Sequence, residues 1–152
     1  MAKISIIEAK KKLEKYCAYQ ERCHSEVRHK LLQYEVYGEA LEEVLTYLIE
    51  NNFLNELRFA TAFARGKMNL KSWGKTKIQY HLKAKVISDY CINKALAQFY
   101  EQIIETKIAL LYHKKNNVIK EIKPTLRKHK IAQYIIRKGF EPNQVWKIIN
   151  EN

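Results

Sequence analysis

The chain has 152 residues, of which 47% are apolar, four are glycine and two are proline, and its formal charge is +12. This length and composition can fill one domain core, but so few turn-forming residues exclude a sandwich or barrel of many short strands. Long stretches of Lys, Glu, Leu, Ile and Ala favour an all-α class. Because no apolar run approaches the roughly 20 residues that cross a bilayer, and the start of the chain lacks a signal-peptide block, we expect a cytosolic protein. We also expect a monomer.

In chain order, the apolar spacing predicts three successive groups of helices within a single domain, residues 1–152, with repeats at approximately 5–52, 55–99 and 103–151. Each group opens with an amphipathic segment, at residues 7–20, 57–68 and 103–115. A helix, a tight turn and a second helix follow. Three such helix-turn-helix-like repeats predict an elongated, curved array.

The repeat rests on six apolar positions that recur at a near-constant offset along the chain. They are Val27, Leu31, Val36, Leu41, Val44 and Leu45 in the first copy; Ile78, Leu82, Ile87, Ile92, Ala95 and Leu96 in the second; and Ile131, Ile135, Phe140, Val145, Ile148 and Ile149 in the third. The first two of each set lie four apart on one helix face, and the last three lie at i, i+3 and i+4 on another. The third position of each set lies in the turn between the two helices, and we expect its side chain to point inward.

The turns contain residues that are typical of helix ends and helix starts. Gly139 can end a helix in the left-handed conformation, whereas Ser88 and Pro142 suit helix starts as an N-cap and a first-turn residue. A loop between the first two helices of the third repeat is predicted from Asn116-Asn117 to Pro124.

No site of catalysis or metal binding is evident. Cys17, Cys23 and Cys91 form no CxxC pair and are interpreted as buried thiols in a reducing compartment. The phosphate-binding, metallopeptidase and serine-hydrolase motifs are all missing from the sequence. We expect a protein that is not an enzyme, with no catalytic residue, metal or cofactor.

The charge is unevenly placed. Residues 1–56 carry 8 Lys and Arg against 10 Asp and Glu, a net of −2, whereas the rest carries 20 against 6, a net of +14. The stretch from Leu57 to Ser88 contains no acid. This asymmetry favours a polyanionic partner, and the alternative is a general preference for lysine on the surface.

Three stretches of the second repeat, Asn55–Ala60, Trp73–Ile78 and His81–Ser88, resemble the central module of the RecX family of recombinase regulators. There an acidic-x-Arg-Phe-Ala helix leads to a glycine turn, an Ile-x-x-x-Leu helix and a Lys-Gly-Ile turn. Arg22–Leu31 and Arg137–Phe140 resemble the flanking modules. Val86 stands where the family has its turn glycine.

The resemblance implies a protein that binds the RecA recombinase filament on single-stranded DNA. It further implies inhibition of the filament's ATPase, strand-exchange and coprotease activities, and so modulation of DNA repair and the SOS response. Double-stranded DNA is a further candidate partner, and no membrane is expected.

Basic residues with one tryptophan form the candidate contact set for filament or nucleic acid. These are Arg65, Lys67, Lys71, Trp73, Lys75, Lys77, Lys83, Lys85, Lys114, Lys115, Lys120, Lys123, Arg127, Lys128, Lys130, Arg137 and Lys138. Trp73 either stacks on a base or packs between helices. The basic run from Lys114 to Lys130 is either a contact surface or a solvated linker. Tyr80 and Tyr112, which lie near lysines, could also meet nucleic acid.

Two other functions stay open from the sequence. A sequence-specific helix-turn-helix DNA-binding protein would read bases with Asn93, Lys94 and Gln98. A structural adaptor would use its charge only for solubility. Three copies of the unit count against a lone reading head.

Overall fold

A computed structural model describes residues 4–152, and over that range the chain is helical with no β-strand. The helices are α1 (Ile6–Tyr19), α2 (His24–Gln33), α3 (Gly38–Glu50), α4 (Glu56–Lys71), α5 (Lys75–Ala84), α6 (Asp89–Leu96), α7 (Glu101–Val118), α8 (Pro124–Arg137) and α9 (Pro142–Asn150). Helices α1–α3, α4–α6 and α7–α9 follow one another as three groups of three. The predicted all-α class and its three-helix repeats are confirmed.

The described chain divides into two compact units. The N-terminal unit contains the residues up to Phe63 together with Leu82–Ala95, and the C-terminal unit contains Ala64–His81 together with Leu96–Asn152. The division passes through α4 and α5 and before the last residue of α6, so each unit takes part of the middle group.

Each unit has its own apolar core. In the N-terminal unit α1 and α2 both pack against α3, and Leu13, Leu31 and Leu48 are fully buried among their neighbours. In the C-terminal unit α7, α8 and α9 pack against one another, with Ile108 and Ile135 fully buried. Burial of such side chains contributes about 1.5–3 kcal/mol each.

All eighteen apolar positions that define the repeat are buried. The least buried is Leu96, with 9% of its surface exposed. The inward position at the turn is buried in every copy, as Val36, Ile87 and Phe140. The repeat read from the sequence therefore describes the packing faces of real helices.

The turn inside each helix pair is also repeated. Glu35, Val86 and Gly139 have φ angles of 60°, 63° and 105°, so each copy places one residue in the left-handed region. In the first two copies the residue after it donates its N–H to a carbonyl near the end of the helix, Val36 to Leu31 at 3.0 Å and Ile87 to Leu82 at 3.2 Å. This bond pattern ends a helix and requires the left-handed residue.

The predicted helix starts are present, and the predicted loop before Pro124 is present but begins later than expected. Ser88 Oγ accepts the Cys91 N–H at 3.3 Å ahead of α6, and Pro142 is the first residue of α9. Asn116-Asn117, however, belongs to α7, which continues to Val118. The connection is only residues 119–123. The two asparagines were expected to stop α7, but the helix continues through them to Val118.

Within each unit, the first turn of one helix meets the turn of the following repeat. In the N-terminal unit Ser25 Oγ donates to the Lys85 carbonyl at 2.8 Å, and Lys85 Nζ lies 3.2 Å from a carboxylate oxygen of Glu26. Burial alone would raise the pKa of Glu26, but its bond from the Cys23 N–H and its pairing with Lys85 hold it below the ordinary value. Positions 25 and 85 correspond to 76 and 138 in the alignment of the repeats.

The matching contact in the C-terminal unit is made by backbone alone. Gly74 N–H donates to the Lys138 carbonyl at 2.7 Å, and Thr76 N–H donates to the Gly139 carbonyl at 3.0 Å. A Cβ on Gly74 would lie 2.3 Å from the carbonyl carbon of Gly139. The two carbonyls that follow α8 thus satisfy N–H groups at the start of α5.

We expect Val86→Gly to stabilise the protein by about 1 kcal/mol. A β-branched residue in the left-handed region costs about 1–3 kcal/mol, and glycine returns part of that gain through its freer unfolded chain. Val86 is 78% exposed, so little packing is lost. Thermal unfolding should show a higher Tm, whereas Val118→Gly, at an exposed valine on helical backbone, should show no gain.

Gly74→Ala should destabilise the protein by about 3 kcal/mol, because its Cβ has no space against the Gly139 backbone. Gly66→Ala is the matched control. It adds the same methyl group inside α4, where nothing lies within 4 Å, and should stabilise the helix by about 0.5–1 kcal/mol. Equal urea midpoints for the two variants would contradict the close contact.

Candidate nucleic-acid interface

Lysines from distant parts of the sequence meet on the C-terminal unit. Two adjoining hollows of about 460 and 330 Å³ share Leu70, Ser72, Leu111 and Lys114 in their walls. We call them together the lysine groove. Its basic residues are Lys71, Lys107, Lys114, Lys115 and Lys138, and none of the acidic residues within 4–152 lines it.

Three helix ends build the groove. Lys71 is the last residue of α4, and Ser72 then turns the chain with a φ of 54°. Lys114 and Lys115 lie near the end of α7, and Lys138 is the C-cap of α8. Lysines in these positions also suit the negative ends of the helix dipoles.

Tyr134 gives two of these lysines a fixed position. Lys115 Nζ lies 4.6 Å and Lys138 Nζ lies 5.6 Å from the centre of its ring. Both distances allow cation–π attraction. The aromatic ring therefore holds two positive charges at the same wall of the groove.

Trp73 lies in a separate cluster of the same unit. Its half-buried ring is 4.5 Å from the His81 ring, centre to centre. The ammonium groups of Lys67 and Lys77 are 4.9 and 4.6 Å from its centre. These contacts favour packing over base stacking, and they engage both lysines within the chain.

Arg127 holds the connection between α7 and α8. Its guanidinium donates to the Asn116 side chain at 2.6 Å and to the carbonyls of Asn116, Ile119 and Glu121. Lys130 Nζ is 3.1 Å from the Glu121 carboxylate, and that hydrogen bond lowers the pKa of Glu121. The basic connection is thus partly tied together by its own contacts.

The remaining candidates are dispersed. Lys75 lines another hollow beside Glu141, and Lys85 is paired with Glu26. The exposed members are Arg65, Lys83, Lys120, Lys123 and Arg137, while Lys128 is half-buried. Of the seventeen predicted residues, the structure brings Lys71, Lys114, Lys115 and Lys138 together.

The prediction missed several residues of the groove. Lys107 stands two helical turns before the predicted basic run. Leu70, Leu110 and Val118 also line the groove, yet they are 84%, 57% and 68% exposed. Apolar residues in amphipathic segments are normally assigned to the core, so no pattern in the sequence places these three at a surface site.

Two residues considered for nucleic-acid contact lie elsewhere than expected. Gln98 falls beyond α6, which ends at Leu96, so it is not on a reading helix with Asn93 and Lys94. Tyr112 is buried in the C-terminal unit with 8% of its surface exposed. Tyr80, by contrast, is 71% exposed.

The acidic residues gather on the N-terminal unit. A hollow of about 740 Å³ in this unit is lined along α3 by Glu39, Glu42, Glu43 and Glu50. Arg28 donates to Glu42 at 2.6 Å, which lowers the pKa of that exposed carboxyl. Lys10 Nζ lies 3.4 Å from Glu43. These contacts are those of solvated carboxylates on a helix face.

The three cysteines are buried and free. Burial raises the pKa of Cys17 to about 11, which keeps its thiol protonated at neutral pH. Across residues 4–152 no group of His, Cys, Asp or Glu is arranged to hold a metal ion. In the same range no helix combines the length and apolarity needed to span a membrane.

Known proteins share this architecture and sequence pattern. The family model for the second three-helix domain of RecX matches residues 55–96. Regulatory protein RecX of Lactococcus lactis subsp. cremoris is 31% identical over 128 residues, covering 82% of this chain and 48% of that protein. The Clostridium acetobutylicum protein is 28% identical, covering 86% of this chain and 62% of its own length.

Solved structures agree along nearly the whole chain. The crystal structure of RecX from Lactobacillus salivarius has a TM-score of 0.88 at 26% identity, and it covers 96% of this chain and 95% of its own. A crystal structure of regulatory protein RecX has a TM-score of 0.87 at 24% identity, with 97% and 72% covered, and supports the fold alone.

The fold and the repeated turn define an all-helical protein built from three-helix domains. In sequence and in fold the chain is similar to regulatory proteins of the RecX family. It spans about half the length of the Lactococcus relatives that it matches.

Arg127→Met should loosen the α7–α8 connection. Losing its hydrogen bonds to the backbone should cost about 2 kcal/mol of stability and speed hydrogen exchange of the amides in residues 119–123. Lys128→Met removes a neighbouring charge without these bonds and should leave exchange unchanged. Unchanged exchange in the Arg127 variant would make Arg127 a free contact residue.

Proposed function

We propose that this chain is a cytoplasmic, monomeric regulator that binds the RecA recombinase filament on single-stranded DNA. Binding inhibits the filament's ATPase, strand-exchange and coprotease activities, and so modulates DNA repair and the SOS response. The observation that carries the proposal is the lysine groove in a chain similar to the RecX family. The groove is a concave, acid-free surface suited to a polyanion.

Charge distribution supports a partner that is anionic at one surface. The groove lies in the C-terminal unit, whereas the N-terminal unit carries the acidic face of α3. Lys71 and Lys114 are exposed and form no ion pair among the described residues. Their charges are therefore available for phosphate contacts, which position a protein without reading sequence.

The proposed action needs binding alone. A protein bound to successive recombinase subunits inhibits them by stabilising one filament conformation or by blocking strand entry, because a ligand shifts an equilibrium by its differential affinity for the two states. The basic groove gives such binding its electrostatic part.

The chain should suppress the ATPase activity of RecA on single-stranded DNA at less than one copy per recombinase subunit. Lys71→Glu with Lys114→Glu should weaken this inhibition at least tenfold, since it removes phosphate contacts and adds repulsion. Lys11→Glu with Lys15→Glu is the matched control, because it makes the same charge change at exposed lysines of α1. It should retain most of the inhibition.

Two outcomes would contradict the proposal. Full ATPase activity at saturating wild-type protein would remove the filament as its target. Tight binding to one duplex sequence, with indifference to the filament, would instead make the chain a helix-turn-helix transcription regulator.

A further inference from the structure

The lysine groove has an apolar side that phosphate binding does not explain. Leu70, Leu110 and Val118 line it with 84%, 57% and 68% of their surfaces exposed. Single exposed apolar residues are common on proteins. Three that line the same pair of hollows, together with five lysines, form a combined apolar and cationic surface.

The side chains of this surface are not recruited to the protein's own core. Leu111, next to Leu110 on α7, is buried with 8% of its surface exposed, so α7 turns Leu111 rather than Leu110 toward the core. Leu70 lies at the end of α4 next to Lys71, and Val118 ends α7. Both are held at helix ends, where their side chains meet solvent.

The ligand must therefore offer negative charge and apolar surface close together. Duplex DNA offers phosphates, but its base faces are stacked inside. Single-stranded DNA offers both, because its bases are free to lie against protein side chains while its phosphates meet lysines. An anionic membrane offers both as well, but a membrane-bound helix buries one apolar face in the plane of the interface, whereas these residues line hollows.

We propose that the lysine groove binds single-stranded DNA directly, without the recombinase. This inference rests on the proposed function, which supplies DNA as the class of ligand. Lys71, Lys107, Lys114, Lys115 and Lys138 contact phosphates, and Leu70, Leu110 and Val118 receive unpaired bases. The apolar residues are the determinants of strand specificity. They make the groove prefer a single strand, whereas the lysines attract any nucleic acid.

The test is fluorescence anisotropy of a labelled 20-nucleotide oligo(dT) and of a 20-base-pair duplex, each titrated with the full chain. Wild type should bind oligo(dT) more tightly than duplex. Leu70→Ser with Val118→Ser should lower oligo(dT) affinity about tenfold, as expected for the loss of a base contact of about 1–3 kcal/mol, and should change duplex affinity less than twofold. Both side chains are exposed, and thermal unfolding verifies that the variant folds.

Matched variants separate the two parts of the surface. Leu32→Ser with Ile49→Ser alters exposed apolar residues of the N-terminal unit and should leave both affinities unchanged. Lys71→Glu with Lys114→Glu should weaken the binding of both ligands. It should reduce the slope of log affinity against log salt for oligo(dT) by about 1.4, since each single-strand phosphate contact contributes about 0.7.

Several results would overturn the proposal. Duplex binding as tight as oligo(dT) binding would do so. An equal loss of affinity for both ligands in the Leu70 and Val118 variant would do so as well. Competition by polyglutamate or anionic phosphatidylglycerol vesicles at equal charge would assign the surface to an acidic peptide or a membrane. Filament ATPase inhibition without oligo(dT) binding would remove this proposal and leave the filament regulator standing.

Discussion

Each helix pair depends on one residue that adopts a left-handed backbone conformation. This residue ends the first helix, reverses the chain and directs the next side chain inward, as Val36, Ile87 and Phe140 show. The inward side chain fixes where the second helix begins and which of its faces is buried. The repeat of the sequence is therefore a repeat of this turn, and glycine occupies it only at residue 139.

Only folding brings the positive charges of the chain together into one surface. Lys71, Lys114 and Lys138 are widely separated in the sequence, yet they face one groove because α4, α7 and α8 end at the same place. Other basic residues of the same stretches are engaged within the chain, as Lys77 is by Trp73 and Arg127 by the α7–α8 connection. Charge density along the sequence marks the region of the site but not the site itself.

Sequence reasoning succeeded where the signal was periodic. The buried faces, the helix start at Ser88 and the left-handed Gly139 each follow from local chemistry, and all are present in the structure. It failed where tertiary contacts decide. The residue types of Glu35 and Val86 do not predict the left-handed conformation, because hydrogen bonds to preceding carbonyls impose it. For Val86 only the turn glycine of the similar family indicated it. Leu70 and Val118 carry the same residue types as core positions, and only the packing of α4 and α7 in the folded chain leaves them exposed.

Gly74 and Gly139 are distant in the sequence, yet neither has room for a side chain. A Cβ on Gly74 would meet the Gly139 backbone, and a Cβ on Gly139 would meet Lys77 and, at 3.0 Å, the Gly74 carbonyl oxygen. In evolution the two positions are therefore constrained together. A mutation at either one closes the space that both require, and no compensating change at the partner restores it, because glycine already has the smallest side chain. Drift in this chain is therefore confined to other positions, and the glycine pair should be kept or lost together with the junction between the second and third repeats.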